Sequence, residues 1–499
     1  MKHKYLIAVV VVITLFLSNS FLWQCGQPAE KSQQQQIDLR IKAVEDGLLT
    51  AITVKEVPET SAGYNILARM KFHKVPGVSV AVIKDEKIEW AKGYGVLEKS
   101  NVKKVNTETL FQAASISKPV AAMASLKLAE QGKIDLEVDA NTFLKSWKIP
   151  DNEFTKQKKV TPAMMLNHSG GLTVHGFRGY AQGEEVPTLL QLLDGKPPAN
   201  SKPIRVDILP NSKFRYSGGG YSVMQQMIID VTGKEFPKAM DELVLEPIDF
   251  KNSTFAQPLP GKMLGNATAG HRSNGEVIKG KRHVYPEMAA AGLWTTPSDL
   301  ARFAIEIQKS LKGESNNVLS KEMTQNMVTA RLGKYGLGLS VRGTGDNIFY
   351  GHSGGNEGYR CILVAYPKSG MGAAIMTNAD NGSKLYMEII RSISKVYGWP
   401  NFKSREKTII EVDPSVFKSL TGQYIISQKD FQYELEVFKE GGKLQVKGPE
   451  GDIERIYPEG KNKYFSLAGT FINFVQDEKG AVKELKIKHQ GNDYVAKRK

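Results

Sequence analysis

A chain of 499 residues exceeds what one hydrophobic core ordinarily organises, so two domains are expected. With 41% hydrophobic and 24% charged residues, its composition excludes collagen-like, low-complexity and disordered classes. The formal net charge is +15, but lysines and acids are interspersed and no basic run is interleaved with aromatics. That pattern points to a solvated lysine-rich surface and no nucleic-acid partner, with attraction to an anionic envelope surface as the weaker reading.

Residues 1–24 read as a signal peptide or membrane anchor. Met1-Lys2-His3-Lys4 is a short positive region, residues 5–17 are apolar except for Thr14, and Ser18-Asn19-Ser20 supplies small residues for a signal peptidase. Leu22-Trp23-Gln24-Cys25 faintly resembles a lipoprotein processing box, although Trp23 and Gln24 are bulky for it. Left uncleaved, residues 5–23 are about long enough to span a bilayer. The protein is therefore expected outside the cytoplasm, periplasmic or extracellular, with membrane anchoring or lipidation through Cys25 left open.

Residues 25–37, with Gln33-Gln34-Gln35-Gln36, predict a flexible tether. A helical-looking stretch follows over 38–72. Val78-Ser79-Val80-Ala81-Val82-Ile83 predicts a strand, residues 84–87 a polar turn, and Ile88-Glu89-Trp90-Ala91 a return strand. Over 116–131, Ile116, Val120, Met123, Ala124 and Leu128 mark one face of a helix, with Pro119 in its first turn and Gly132 at its stop. Thr296-Pro297-Ser298-Asp299 reads as a helix start, continued by Leu300, Phe303, Ala304, Ile307 and Leu311. Strands return at 360–366 and 371–377. The fold class expected is α+β, an antiparallel sheet flanked by helices with a helical middle.

From residue 413 the texture changes to short alternating runs, at 424–426, 433–437, 443–446, 464–467, 471–475 and 482–487, separated by turns such as Glu440-Gly441-Gly442. These predict a small β-barrel or sandwich over 413–499, joined by a linker at 401–412 to a main domain at 38–400.

Two cysteines, Cys25 and Cys361, make neither a disulfide framework nor a zinc site. Cys361 opens the apolar run 361–366 and reads as a small core residue. The eight histidines show no His-Glu-x-x-His spacing, so neither a metal nor an organic cofactor is implied.

Ser115-Ile116-Ser117-Lys118 carries chemical logic. A serine at a helix start presents its hydroxyl, and a lysine three residues on projects from the same face. Its amine, neutral if burial depresses the pKa, can then activate the hydroxyl. Alone, the pattern is common enough to be a capped surface helix. Three further segments accompany it. Phe214-Arg215-Tyr216-Ser217-Gly218-Gly219-Gly220-Tyr221 puts a tyrosine in a Gly-rich loop before an apolar helix ending at Val231-Thr232-Gly233. Tyr350-Gly351-His352-Ser353-Gly354-Gly355-Asn356 puts a histidine and a Gly-rich turn before a core strand. Between them lies Ala290-Ala291-Gly292-Leu293-Trp294.

This order and spacing resemble the class C β-lactamase-like serine hydrolases, a penicillin-binding-protein-type family that also holds D-stereospecific peptidases and esterases. The resemblance covers about 65 to 397 and includes Val75-Pro76-Gly77-Val78-Ser79-Val80 and Leu166-Asn167-His168-Ser169-Gly170-Gly171-Leu172. The C-terminal runs resemble the lipocalin-like barrel that some members append. The resemblance implies that Ser115 attacks a carbonyl, Lys118 activates it, and Tyr216 relays a proton if nearby cations lower its pKa. It implies an oxyanion hole from the backbone N–H groups of Ser115 and Gly355 beside Gly354, and puts His352 where β-lactamases carry a lysine. Where the family's tyrosine motif usually ends in a substrate-binding asparagine, this chain has Gly218.

These departures favour an esterase or peptidase acting on small molecules or peptides through an acyl-enzyme. A β-lactamase or D-Ala-D-Ala carboxypeptidase, and a non-catalytic envelope-binding protein on a degenerate hydrolase fold, are the alternatives. His168 reads as a turn residue satisfied by backbone, and His175, Arg178, His271 and Arg272 as surface groups. Gly351-His352-Ser353-Gly354-Gly355 also matches the nucleophile elbow of α/β-hydrolases, but no helix is expected after Ser353, so that reading is set aside.

Overall fold

The computed structural model describes residues 27–428, 431–449, 451–489 and 491–499. The expected export segment and Cys25 lie outside them. Among the described residues no helix is long and apolar enough to cross a membrane.

The chain enters as helix α1, Gln27–Glu45, in place of the tether expected up to residue 37. Gln, Glu, Lys and Ala are good helix formers, Pro28 falls in the first turn, and Ile37 and Ile41 pack against the core. The stretch expected to be helical over 38–72 is broken instead. Strand β1, Ile52–Val54, intervenes before the short helices Glu59–Ala62 and Ile66–Phe72. Its β-branched residues and the nearby Pro58 oppose one continuous helix.

The hairpin β2 (Gly77–Lys84) and β3 (Lys87–Gly95) turns through Asp85 and Glu86, whose φ values of 52° and 55° are those a two-residue hairpin turn requires. A 3₁₀ turn at Ala114–Ile116 runs into helix α2, Ser117–Glu130. Helix α3 spans Gly218–Thr232 and helix α4 Pro297–Lys312, the latter capped by Thr296 as its sequence predicts. Strands β4 (Ser340–Arg342), β5 (Phe349–Asn356), β6 (Tyr359–Ala365) and β7 (Gly372–Thr377) precede helix α5, Gly382–Tyr397.

Six strands form one antiparallel sheet in the order β3-β2-β7-β6-β5-β4. Alternation along the central strands splits the core in two. Val78, Val80 and Val82 of β2, with Ile362 and Val364 of β6, face α1 and α5. Ala81, Ile83, Cys361 and Leu363 face α2, α4 and the helical middle. Both faces are covered, so these strands carry near-continuous apolar runs, each fully buried aliphatic side chain contributing roughly 1.5–3 kcal/mol. Cys361 is a core residue, as its setting suggests, and its thiol donates to Ala113 O at 3.0 Å.

The segment 353–355, expected as a turn, is the end of β5 and pairs with residues 360–362 of β6. Glycine is needed there for close approach: a Cβ on Gly354 would collide with Ala113 O, immediately before the turn that carries Ser115.

Beyond α5, β8 (Arg405–Lys407) pairs in parallel with β1, so part of the expected 401–412 linker is sheet. The C-terminal unit is a closed antiparallel barrel of eight strands: β9 (Gly422–Gln428), β10 (Phe431–Glu440), β11 (Lys443–Lys447), β12 (Ile453–Gly460), β13 (Lys463–Ser466), β14 (Phe471–Gln476), β15 (Val482–His489) and β16 (Asn492–Arg498). Six of these were legible in sequence. The other two, β12 and β16, are rich in charged residues; β12 contains Pro458, and Ala496 is the buried apolar residue of β16. One wall of the barrel meets β1: Tyr457 and Phe465 bury themselves against Ile52 and Val54.

Candidate active site

Ser115 lies in the 3₁₀ turn at the entry to α2, partly exposed, with buried neighbours on both sides. The turn is held under strain. Ala114 has φ of 48°, a left-handed conformation that alanine rarely adopts. Ser117 secures it by donating to Ala114 O at 2.6 Å and accepting from the Leu293 N–H at 3.0 Å.

Lys118 follows one turn later and is 2% exposed. Its Nζ donates to Ser115 Oγ at 3.0 Å and to Ala290 O at 2.7 Å, so the 290–294 segment holds the amine against the hydroxyl. Burial pushes its pKa down to about 7. Tyr216 stands on the other side. Its ring centroid is 5.0 Å from Lys118 Nζ, and its hydroxyl interacts with the Ser115 side chain. Burial moves the phenol well above its ordinary range, the reverse of the lowering expected from nearby cations. Tyr216 is therefore a neutral hydroxyl, able to accept and donate in turn.

His352 projects from β5 into the same group of rings, 6.1 Å from Tyr216 between centroids. Its Nδ1–H donates to Ser353 O at 2.6 Å, while Nε2 has no partner among the described residues. Burial first, then the charge of Lys118, pushes its pKa down to about 3. It supplies no fixed positive charge at neutral pH. β4 pairs with β5 only at residues 349–351, which leaves the Ser353–Gly355 stretch unpaired on that edge. Ser353 itself is exposed on β5 and is followed by β6, not by a helix.

His168 occupies a turn, as expected, at φ of 62°, and its Nδ1 accepts from the Ser217 N–H at 3.1 Å. Its place in the site was not legible. The ring is 2% exposed and packs 4.2 Å from that of Tyr216, with Phe214 and Tyr335 edge-on. Nδ1 being an acceptor, the neutral ring carries its proton on Nε2, which is buried without a partner among the described residues. His175 is exposed but lies 4.9 Å from the Tyr216 ring. Arg178 and Arg272 are surface groups, paired with Glu184 and Glu357. His271 departs from its expected surface placement: it is fully buried and bonded to Asn378 O and the Lys99 N–H, because the 268–272 segment crosses the end of the sheet. Glu287, also unforeseen, is fully buried with both oxygens unpartnered among the described residues, and burial pushes its carboxyl up to about 8. Among the described residues no group of three or more His, Cys, Asp or Glu is placed to hold a metal.

A serine hydroxyl, an amine whose pKa burial lowers to about 7 and a neutral phenol thus meet beside the open edge of an antiparallel strand. Residues 65–396 match the family described as Beta-lactamase. The chain belongs to the Beta-lactamase family. Among curated proteins it is similar to Protein flp of Staphylococcus aureus (strain MRSA252), 24% identical over 334 residues, covering 62% of this chain and 60% of that one. Among solved structures, the octameric penicillin-binding protein homologue from Pyrococcus abyssi matches at a TM-score of 0.59 and 20% identity, covering 87% of this chain and 98% of that one. The D-amino acid amidase of Ochrobactrum anthropi SV3 matches at 0.55 and 19% identity, covering 72% and 99%. At these identities the structural likenesses show the fold, that of the β-lactamase-like family domain.

Proposed function

We propose that this chain is a serine hydrolase that cleaves ester or amide bonds of small molecules or peptides through an acyl-enzyme on Ser115. The observation that carries this is the 3.0 Å contact from Lys118 Nζ to Ser115 Oγ, with the amine at a pKa of about 7. Near neutral pH a substantial fraction of Lys118 is uncharged and able to take the Ser115 proton. The freed oxygen attacks the carbonyl carbon, and the resulting oxyanion meets backbone N–H groups of Ser115 and Gly355, with Gly354 keeping the strand close. Collapse expels the alcohol or amine, which is protonated through the Tyr216 hydroxyl as Lys118 returns its proton. Water then enters by the same relay and releases the acid.

The neutrality of His352 favours an esterase or peptidase over a β-lactamase or D-Ala-D-Ala carboxypeptidase, whose substrates present a carboxylate that a fixed cation would hold. The amidase and penicillin-binding-protein likenesses support the broader hydrolase reading. The composition of residues 1–24 supports action outside the cytoplasm.

The test is intact mass after treatment with a fluorophosphonate probe. Wild type is expected to gain a single adduct that Ser115→Ala lacks. No adduct on folded wild type would favour a non-catalytic binding protein, and an adduct that survives Ser115→Ala would remove Ser115 from the mechanism.

A further inference from the structure

The wall of the site beside Tyr216 is built from two segments far apart in sequence. Ser217 caps α3, its hydroxyl accepting from the Gly220 N–H at 2.9 Å and donating to Thr173 O at 2.8 Å. The two N–H groups before it, the first of α3, are taken by the loop in front of the helix: Gly218 donates to His175 O and Gly219 to Val174 O, both at 3.0 Å. The three N–H groups at this helix start, ordinarily free to meet a polar ligand, are therefore all spent within the protein. Keeping the loop there requires a left-handed Val174, φ 64°, which is a strained conformation for a β-branched residue.

This loop lays an aromatic ring over the helix start. A Cβ built on Gly218 would stand 2.9 Å from Phe177 Cε2 and 3.1 Å from His175 O, so the ring fills the space that a side chain at 218 would need. Phe177 is partly buried against the main core. The loop is also pinned at its far end, where Arg178 O accepts from Tyr285 Oη at 3.2 Å. Gly218 is buried beneath the ring, so this wall, two residues beyond Tyr216, presents the phenyl group of Phe177 in place of a side chain at 218.

We propose that Phe177, standing over Gly218, is the specificity-determining residue of this site and selects substrates with an apolar acyl chain over those bearing an amide next to the reacting carbonyl. This rests on the hydrolase reading above. An amide pressed against this wall gives up its water without gaining a partner, whereas methylenes lose none. Phe177 acts on acyl binding and leaves the Ser115–Lys118 chemistry alone.

A matched pair of esters tests it: ethyl 4-phenylbutanoate, and ethyl hippurate, in which an amide replaces two methylenes of the same chain. Wild type is expected to favour the phenylbutanoate by tenfold or more in kcat/KM. Phe177→Ala brings that ratio close to one, mainly through KM, while Phe177→Leu keeps it; fluorophosphonate labelling of Ser115 in each variant confirms a folded site. Binding of both esters to Ser115→Ala, measured by calorimetry, reports the preference without turnover. If that variant prefers the phenylbutanoate although wild type turns over neither ester, the hydrolase reading falls and this inference stands. Equal handling of the two esters by wild type, or a ratio unchanged in Phe177→Ala, overturns it.

Discussion

At the scale of single residues, the decisive feature is a lysine with nowhere to put its charge. Lys118 is enclosed by Ser115, Ala290 and the rings of Tyr216 and Tyr221, and burial is the cause of its shift to about 7. The buried histidines around it, His168 and His352, are depressed by burial first and by Lys118 second. The site is thus a cluster of bases whose charged forms burial disfavours. The sign of the pH dependence follows: below pH 7 Lys118 is protonated and cannot accept the Ser115 proton, and above it the amine is free. Ester hydrolysis measured from pH 5 to 9 should fall about tenfold per unit below 7 and level off above it. Lys118→Arg, whose guanidinium stays charged throughout, should lose at least about a hundredfold at every pH. A rate flat through pH 7 would mean that another group is the base.

At the scale of elements, the site is made by segments that could not adopt their conformations alone. The 3₁₀ turn keeps Ala114 left-handed because Ser117 clasps Ala114 O from below and β5 presses on it through Gly354. Left-handed alanine is disfavoured by roughly 1–2 kcal/mol, and glycine removes most of that at some entropic expense in the unfolded chain. Ala114→Gly should therefore raise stability by up to about 1 kcal/mol in urea unfolding, while slowing fluorophosphonate labelling as the turn loosens. A lower midpoint would show that the alanine methyl stabilises more than the strain opposes. The same dependence on context explains the misread elements. The Gly-rich 353–355 segment carries turn chemistry in its sequence, yet β6 on one side and the nucleophile turn on the other make it strand.

At the scale of the whole molecule, the barrel is fastened to the main domain through β1 and α5. β1 pairs with β8, and Tyr457 and Phe465 pack on Ile52 and Val54 in a cluster separate from the core behind the site. Lys384 of α5 adds an ion pair to Asp452 at 2.9 Å. Phe465 is fully buried, so Phe465→Ala should remove about 3–5 kcal/mol from this junction and lower the melting temperature. Labelling of Ser115 at 25 °C should stay within about twofold, because none of its contacts passes through the junction. Loss of labelling in folded Phe465→Ala would instead tie the barrel to the site.

Much of the fold was legible where a property is local. The apolar runs of β2 and β6, the capped start of α4, the hairpin turn and the helix carrying Ser115 and Lys118 are each set by residues within a dozen positions, and composition, period and capping report them. The order of the four motif segments similarly pointed to the family. What decides the chemistry is not local. Ala290 O lies 172 residues from the lysine it holds, and Phe177 meets Gly218 across 41 positions that the sequence leaves unrelated. β12 and β16 stayed hidden because barrel closure, not their own apolar content, makes them strands. By itself the sequence pointed to the family, and it placed Ser115 and Lys118 one turn apart at the start of one helix. Only the tertiary structure decided that the lysine's pKa would fall to about 7 and that the phenol and the imidazoles of His168 and His352 would be neutral, because desolvation is a property of what surrounds a group and no single segment supplies it.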